Sequence, residues 1–207
     1  MFDIFRASPK LPVDERIDGQ SIFIRPPHDD DWQEWATLRE RSKDFLVPWE
    51  PKWTRDSHSR STYRRRLGYY AEEWESGYGY AFFIFSRDNE RLCGGITLSG
   101  VRRGIAQTGT LGYWVGEPFA RQGVMTDALG CIKEFFFEHL YMHRLEAACL
   151  PRNEASCRVL EKAGFRKEGL APKYLKINGV WEDHSLYAIL VEEAAAQKAQ
   201  KAQKSLK

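Results

Sequence analysis

The stretch from Leu111 to Leu150 constrains the fold more than any other part of the chain. Leu111–Val115 is a short apolar run, and a Gly-containing turn, Arg121-Gln-Gly-Val-Met-Thr126, follows it. Ala128, Ile132, Phe135, Phe136 and Leu140 then recur at helical spacing, which predicts a helix over about residues 122–140. Leu145-Glu-Ala-Ala-Cys-Leu150 reads as a largely buried strand. Strand, turn, helix and strand make a β-α-β unit.

The flanking segments extend this unit on both sides. Ser21–Arg25 reads as a strand ended by Pro26-Pro27, and Asp29–Asp31 suit the N-terminus of a helix over about 30–42. Tyr63, Leu67, Tyr70, Ala71 and Trp74 line one side of a second helix ending near Gly77. Tyr80–Phe85, Leu92–Leu98 and Leu111–Val115 are separated by turn residues and read as an antiparallel meander. Asn153 is a good N-cap for a helix over 154–163, Gly164 a good terminator, and Asn178-Gly179 a hairpin turn between two last strands. The expected order is β-α-α-β-β-β-α-β-α-β-β.

A chain of 207 residues, 43% apolar, has room for one ordinary domain, here placed at 19–192. Residues 1–18 read as an N-terminal arm and 193–207 as a basic tail, a disordered or frayed helix without an apolar stripe. The net charge of +2 resides in that tail, so the body is neutral and carries no global nucleic-acid signature. Cys93, Cys131, Cys149 and Cys157 are scattered singly, without zinc-site or disulfide-scaffold spacing, so reduced thiols and no metal are expected. No run approaches the ~20 apolar residues of a membrane span. A soluble cytoplasmic protein, monomer or homodimer, follows as the expectation.

A strand, a glycine turn and a helix start present unpaired N–H groups and a positive dipole end, which suits a phosphate ester. A single glycine is weak evidence alone, because it also serves a plain tight turn. The second segment, Asn153-Glu-Ala-Ser156-Cys-Arg-Val-Leu160-Glu-Lys162-Ala-Gly164-Phe165, supplies context about 30 residues downstream. Together the two segments resemble the GNAT superfamily of N-acetyltransferases, over roughly residues 20–190. Tyr174-Leu-Lys-Ile-Asn178-Gly179-Val-Trp181-Glu-Asp183-His184 is similar to the ribosomal-protein-alanine acetyltransferase (RimJ/RimL) branch.

The resemblance implies an α/β (α+β) GNAT fold, with a mixed, mostly antiparallel seven-stranded sheet, four flanking helices and splayed central strands. It implies acetyl-CoA as the acetyl donor, with its pyrophosphate on Arg121, Gln122, Gly123, Val124, Met125 and Thr126. Of the superfamily pattern at that turn only Gly123 matches, and a side chain at Met125 is expected to narrow the approach. The backbone of Tyr113, Trp114 and Val115 is expected to receive the donor like an added strand and to polarise its thioester carbonyl. Asn153 is expected on the pantetheine arm, and Ser156 near the sulfur as a proton donor, although an N-cap and a backbone-bonded hydroxyl are the plain alternatives.

An amine must be neutral to attack, so a carboxylate or histidine has to take its proton. Some relatives use a Glu where this chain has Lys173. Glu182, Asp183 and His184 are the substitutes, with Glu182 and His184 on one face of the last strand and Asp183 on the other. Trp49, Glu50 and Trp53 stand where the superfamily forms its acceptor wall, and aromatic packing is the plain alternative. Five arginines over 55–66 could touch RNA or phosphates, but such a run is more often a solvated helix face. Three functions stay open: acetylation of a protein N-terminus, plausibly ribosomal; acetylation of a small amine such as an aminoglycoside, polyamine or amino acid; and non-catalytic binding of acetyl-CoA.

Overall fold

The stretch Tyr80–Ser86 is buried at every residue but the last, as a strand covered on both faces must be. Around it a computed structural model, describing residues 16–205, builds one mixed sheet of eight strands. The strands are β1 (Ile17–Asp18), β2 (Ile22–Arg25), β3 (Tyr80–Ser86), β4 (Leu92–Arg102), β5 (Thr108–Val115), β6 (Arg144–Cys149), β7 (Arg166–Ile177) and β8 (Val180–Leu190). Their order across the sheet is β1-β2-β3-β4-β5-β6-β8-β7. All neighbours are antiparallel except β5 and β6.

Among the described residues six α-helices accompany the sheet: α1 (Trp32–Arg41), α2 (Lys43–Leu46), α3 (Arg60–Ser76), α4 (Val124–Glu134), α5 (Glu154–Lys162) and α6 (Val191–Ser205). The expected fold class holds, with one strand and two helices more than the seven and four read from sequence. The extra strand is β1, a two-residue pairing with β2 inside the segment read as an arm; residues 1–15 of that arm lie outside the described residues. Short α2 follows α1 directly. Within the tail, α6 is held by the Lys133 ammonium and the Gly164 carbonyl, both hydrogen-bonded to Gln197, and by Arg166 bound to Glu193; residues 206–207 lie outside the described residues.

Two apolar layers flank the sheet. The larger takes the inward faces of α4 and α5, including Ala128, Ile132, Phe135, Phe136 and Leu160. Burying rings such as Phe135 and Phe136 contributes roughly 1.5–3 kcal/mol each. Beyond Glu134 the helix widens into a π turn over Phe135–His139, and three consecutive phenylalanines are buried there. The smaller layer packs Trp35 and Leu38 of α1 and Tyr63 of α3 on Phe23, Phe83 and Phe85.

The feature that shapes the site lies between β5 and β6. Their parallel pairing runs from Thr108↔Arg144 to Leu111↔Ala147 and stops, although β5 continues to Val115 and β6 to Cys149. Past that point β5 pairs only with β4, through Thr97↔Gly112 to Gly94↔Val115, and β6 only with β8. The sheet therefore opens into a V whose walls are the Gly112–Val115 edge and the end of β6.

Candidate acetyl-transfer site

The start of α4 follows β5 after the short turn Glu117–Phe119. Gly123 is its N-cap at φ 82°, a left-handed backbone that favours glycine, and Arg121 before it also has positive φ. A Cβ built on Gly123 would meet no atom within 4 Å, so the turn has open space over it. The first amides of α4 are unpaired within the helix, as at any helix start, and sit at the positive end of the dipole. Arg121, Gln122, Gly123 and Thr126 are exposed.

The side chains of Val124 and Met125 turn the other way, into the core. That corrects the expected narrowing by Met125: its thioether packs inward and leaves the turn open. Gln122 is held by its own Nε2–H on the Pro118 carbonyl, at 2.7 Å. Asp127, one turn on, accepts from the amides of Gln20 and Ser21 and from the Ser21 hydroxyl, which ties α4 to the start of β2.

The wall of the V is shaped by Trp114. Its indole lies across β4, where a Cβ on Gly95 would come within 2.5 Å of Nε1, so the glycine makes room for the ring. Successive residues of β5 face opposite sides. Tyr113 and Val115 pack on the α4–α5 layer and Trp114 on the other.

At the far wall, β6 leads through Leu150 into α5. Asn153 caps that helix, its Oδ1 accepting from the Ser156 amide at 3.1 Å. The Ser156 hydroxyl is 2.7 Å from the Tyr113 phenol, a side-chain bond joining β5 to α5. Burial raises the Tyr113 pKa, and the Ser156 bond only partly opposes that, so the phenol stays protonated. Cys149 and Cys157, single in sequence, come together with their sulfurs 3.3 Å apart. Burial pushes the Cys149 thiol well up, and its neighbour Cys157 adds to this. Among the described residues no cluster of His, Cys, Asp and Glu could hold a metal.

The three base candidates separate. Glu182 is partly exposed and bonds Arg152 at 2.9 Å. Asp183 accepts from the Lys173 amide at 2.9 Å and so pins the bulge where β7 carries extra residues against β8. His184 is 3% exposed, with Nδ1 3.0 Å from the Glu182 carbonyl, which assigns its proton to Nδ1, and its ring is edge-on to Tyr174. Glu182 lines a cavity of about 300 Å³, together with Val47, Pro48, Arg152, Ile177, Asn178 and Val180. The Asn178 amide, donated to the Glu50 carbonyl at 2.8 Å, fastens the β7–β8 turn to the chain after α2.

The expected acceptor wall divides. Trp49 lies 5.9 Å from the Arg152 guanidinium, beside the cavity. Trp53 and Glu50 turn away from it: Glu50 forms a two-pronged pair with Arg39 and also accepts from the Trp53 indole at 2.8 Å. The Arg39 guanidinium is stacked by Trp53 and Trp114 at 4.7 and 4.8 Å. Glu50 is thus no bare anion awaiting a cationic amine; its charge is already met. Sequence reasoning missed Arg39 and Arg152, because an arginine on a polar helix or in a loop shows no sign of the partner it finds far along the chain. The basic run on α3 is spent similarly, with Arg60 and Arg64 on Asp29 and Arg66 over Trp35.

Residues 21–166 match the acetyltransferase (GNAT) domain family. The chain belongs to that family. It is an acetyl-CoA-dependent N-acetyltransferase. It is 39% identical over 174 residues to the probable N-acetyltransferase YjcK of Bacillus subtilis, a match covering 84% of this chain and 96% of that protein. It is 32% identical to the ribosomal protein uS5-alanine N-acetyltransferase of Escherichia coli, over 84% of this chain and 90% of that one. Among solved structures, RimJ of Mycobacterium smegmatis, in complex with CoA-disulfide, superposes with a TM-score of 0.83 at 28% identity, covering 91% of this chain and 95% of that one.

Proposed function

We propose that this acetyltransferase modifies the N-terminal α-amine of a protein, with ribosomal proteins as the first acceptors to test, by direct transfer within a ternary complex. The observation that carries the reading is the V between Gly112–Val115 and the end of β6, with the open turn at Gly123 following β5 in the chain. The similarity to the uS5-alanine enzyme supports the acceptor class.

Acetyl-CoA supplies an activated acetyl thioester. Amides of Gln122–Thr126 hold its pyrophosphate, Asn153 its pantetheine arm, and the free edge of Tyr113, Trp114 and Val115 the thioester carbonyl. Ser156 stands by the departing sulfur. The cavity behind Val47 and Pro48 admits the acceptor, with Trp49 at its rim. Glu182 takes the amine proton, directly or through one water, and Arg152 holds that carboxylate in place. Asp183 and His184 serve as supports: the first pins the β7 bulge, and the second backs Glu182 through its carbonyl.

The cavity of about 300 Å³ also suits a small amine, which is the second reading. A turnover assay with acetyl-CoA decides between them, using N-terminal peptides of ribosomal proteins beside aminoglycosides, polyamines and amino acids. The proposal expects the highest kcat/KM with a peptide bearing a free α-amine, and none once that amine is blocked. Preference for a small amine overturns it.

A further inference from the structure

We infer that Tyr113 is a positioning residue for the leaving thiolate: it holds the Ser156 hydroxyl so that its proton faces the sulfur. The inference rests on the assignment of Ser156 above and goes beyond it. The phenol and the Ser156 Oγ are 2.7 Å apart, between β5 and α5, and the phenol also lies 3.4 Å from the Ser156 carbonyl.

A hydroxyl has one proton and can accept as well as donate. If Ser156 spends its proton on Tyr113, it has none for the sulfur. The phenol is the more acidic partner, so the favoured arrangement has Tyr113 donating and Ser156 accepting. A hydroxyl that accepts is polarised and becomes the stronger donor. The Asn153 cap on the Ser156 amide fixes the backbone beneath it. Residues from β5 and α5 thus hold one rotor that would otherwise sweep three staggered positions.

The step balances without a further reactant. The acceptor nitrogen bonds to the acetyl carbon and its proton passes to the base. The carbon–sulfur bond breaks and its electron pair leaves with the sulfur as thiolate. Ser156 donates a hydrogen bond to that thiolate, and Tyr113 keeps its own proton throughout. The raised pKa of the phenol suits such a role, since it has to remain a donor across the working pH range.

The test uses the full chain with Tyr113→Phe, Ser156→Ala and the double variant. Tyr113→Phe keeps the ring and removes the donor, so kcat should fall about tenfold while the Kd and KM for acetyl-CoA stay within twofold. The double variant should be no slower than Ser156→Ala alone, because the phenol acts only through the serine. Wild-type kcat in Tyr113→Phe, multiplied losses in the double variant, or a Kd that rises as much as kcat falls each overturn the inference. Should Tyr113→Phe fold poorly, a polyfluorinated tyrosine at position 113, whose phenol is far more acidic, should bring a fall of kcat at alkaline pH that wild type lacks; no such fall overturns it. A slow Ser156→Ala beside a fast Tyr113→Phe removes Tyr113 alone, whereas wild-type turnover in Ser156→Ala removes the assignment beneath it.

Discussion

Gly123 carries two duties that one substitution separates. Its φ of 82° makes any L-residue there cost about 1 kcal/mol, and the space above it is open. Gly123→Ala should therefore lower the unfolding midpoint by a few degrees. Gly123→Glu adds a carboxylate where phosphate is to sit, and should raise the Kd for acetyl-CoA at least tenfold by calorimetric titration. Equal affinity in Gly123→Glu and wild type would remove the turn from the site. At Glu182 the expected change is in rate: Glu182→Gln should lower kcat by about 10²-fold or more, with the KM for acetyl-CoA unchanged. A normal kcat in Glu182→Gln would pass the base to another group.

Between elements, the Arg39–Glu50 pair links α1 to the chain that frames the acceptor cavity. Arg39 is buried between two indoles and Glu50 is largely covered, so removing one partner strands a charge. Glu50→Ala should cost about 3–5 kcal/mol by denaturant unfolding, far more than an exposed pair would. A loss under 1 kcal/mol would show that the pair is not sealed from water. This linkage was not legible in the sequence, because eleven residues and a change of element separate Arg39 from Glu50. What was legible obeyed local rules: the Asn153 cap, the Gly123 turn and the stripe on α4 are each written in neighbouring residues. The pairing of Glu50 could not be read from its loop, because its partner comes from the buried side of α1.

Across the whole molecule, the order of strands and helices was readable from periodicity and turns. The opening of the sheet was not: nothing in Leu111–Val115 says where pairing with β6 ends, and only the family resemblance supplied it. The tail's helix-forming residues allowed a helix but did not announce its docking, which packs Val191 and Ala194 on the core and adds the Gln197 contacts. Removing residues 191–207 should lower the unfolding midpoint by several degrees, and an unchanged midpoint would show that α6 docks without consequence.

Acid stability follows from the charge pattern. Asp29, beside Arg64 and Arg60, and Glu168, beside Arg144, are held below the usual carboxylate range. Depressed carboxylates stabilise the folded chain above their unfolded pKa, and that stability is lost as pH falls through the folded values. Unfolding midpoints should be level from neutral pH down to the ordinary carboxylate range and fall below it, and Asp29→Asn with Glu168→Gln should reduce that fall.

The central claim is that acetyl-CoA enters the opened sheet, and backbone amide exchange tests it most directly. With acetyl-CoA bound, exchange should slow at Gly112–Val115 and at Gln122–Thr126, and change little on the outer edge of β7. Slowed exchange elsewhere, with both of those segments unchanged, would contradict the account.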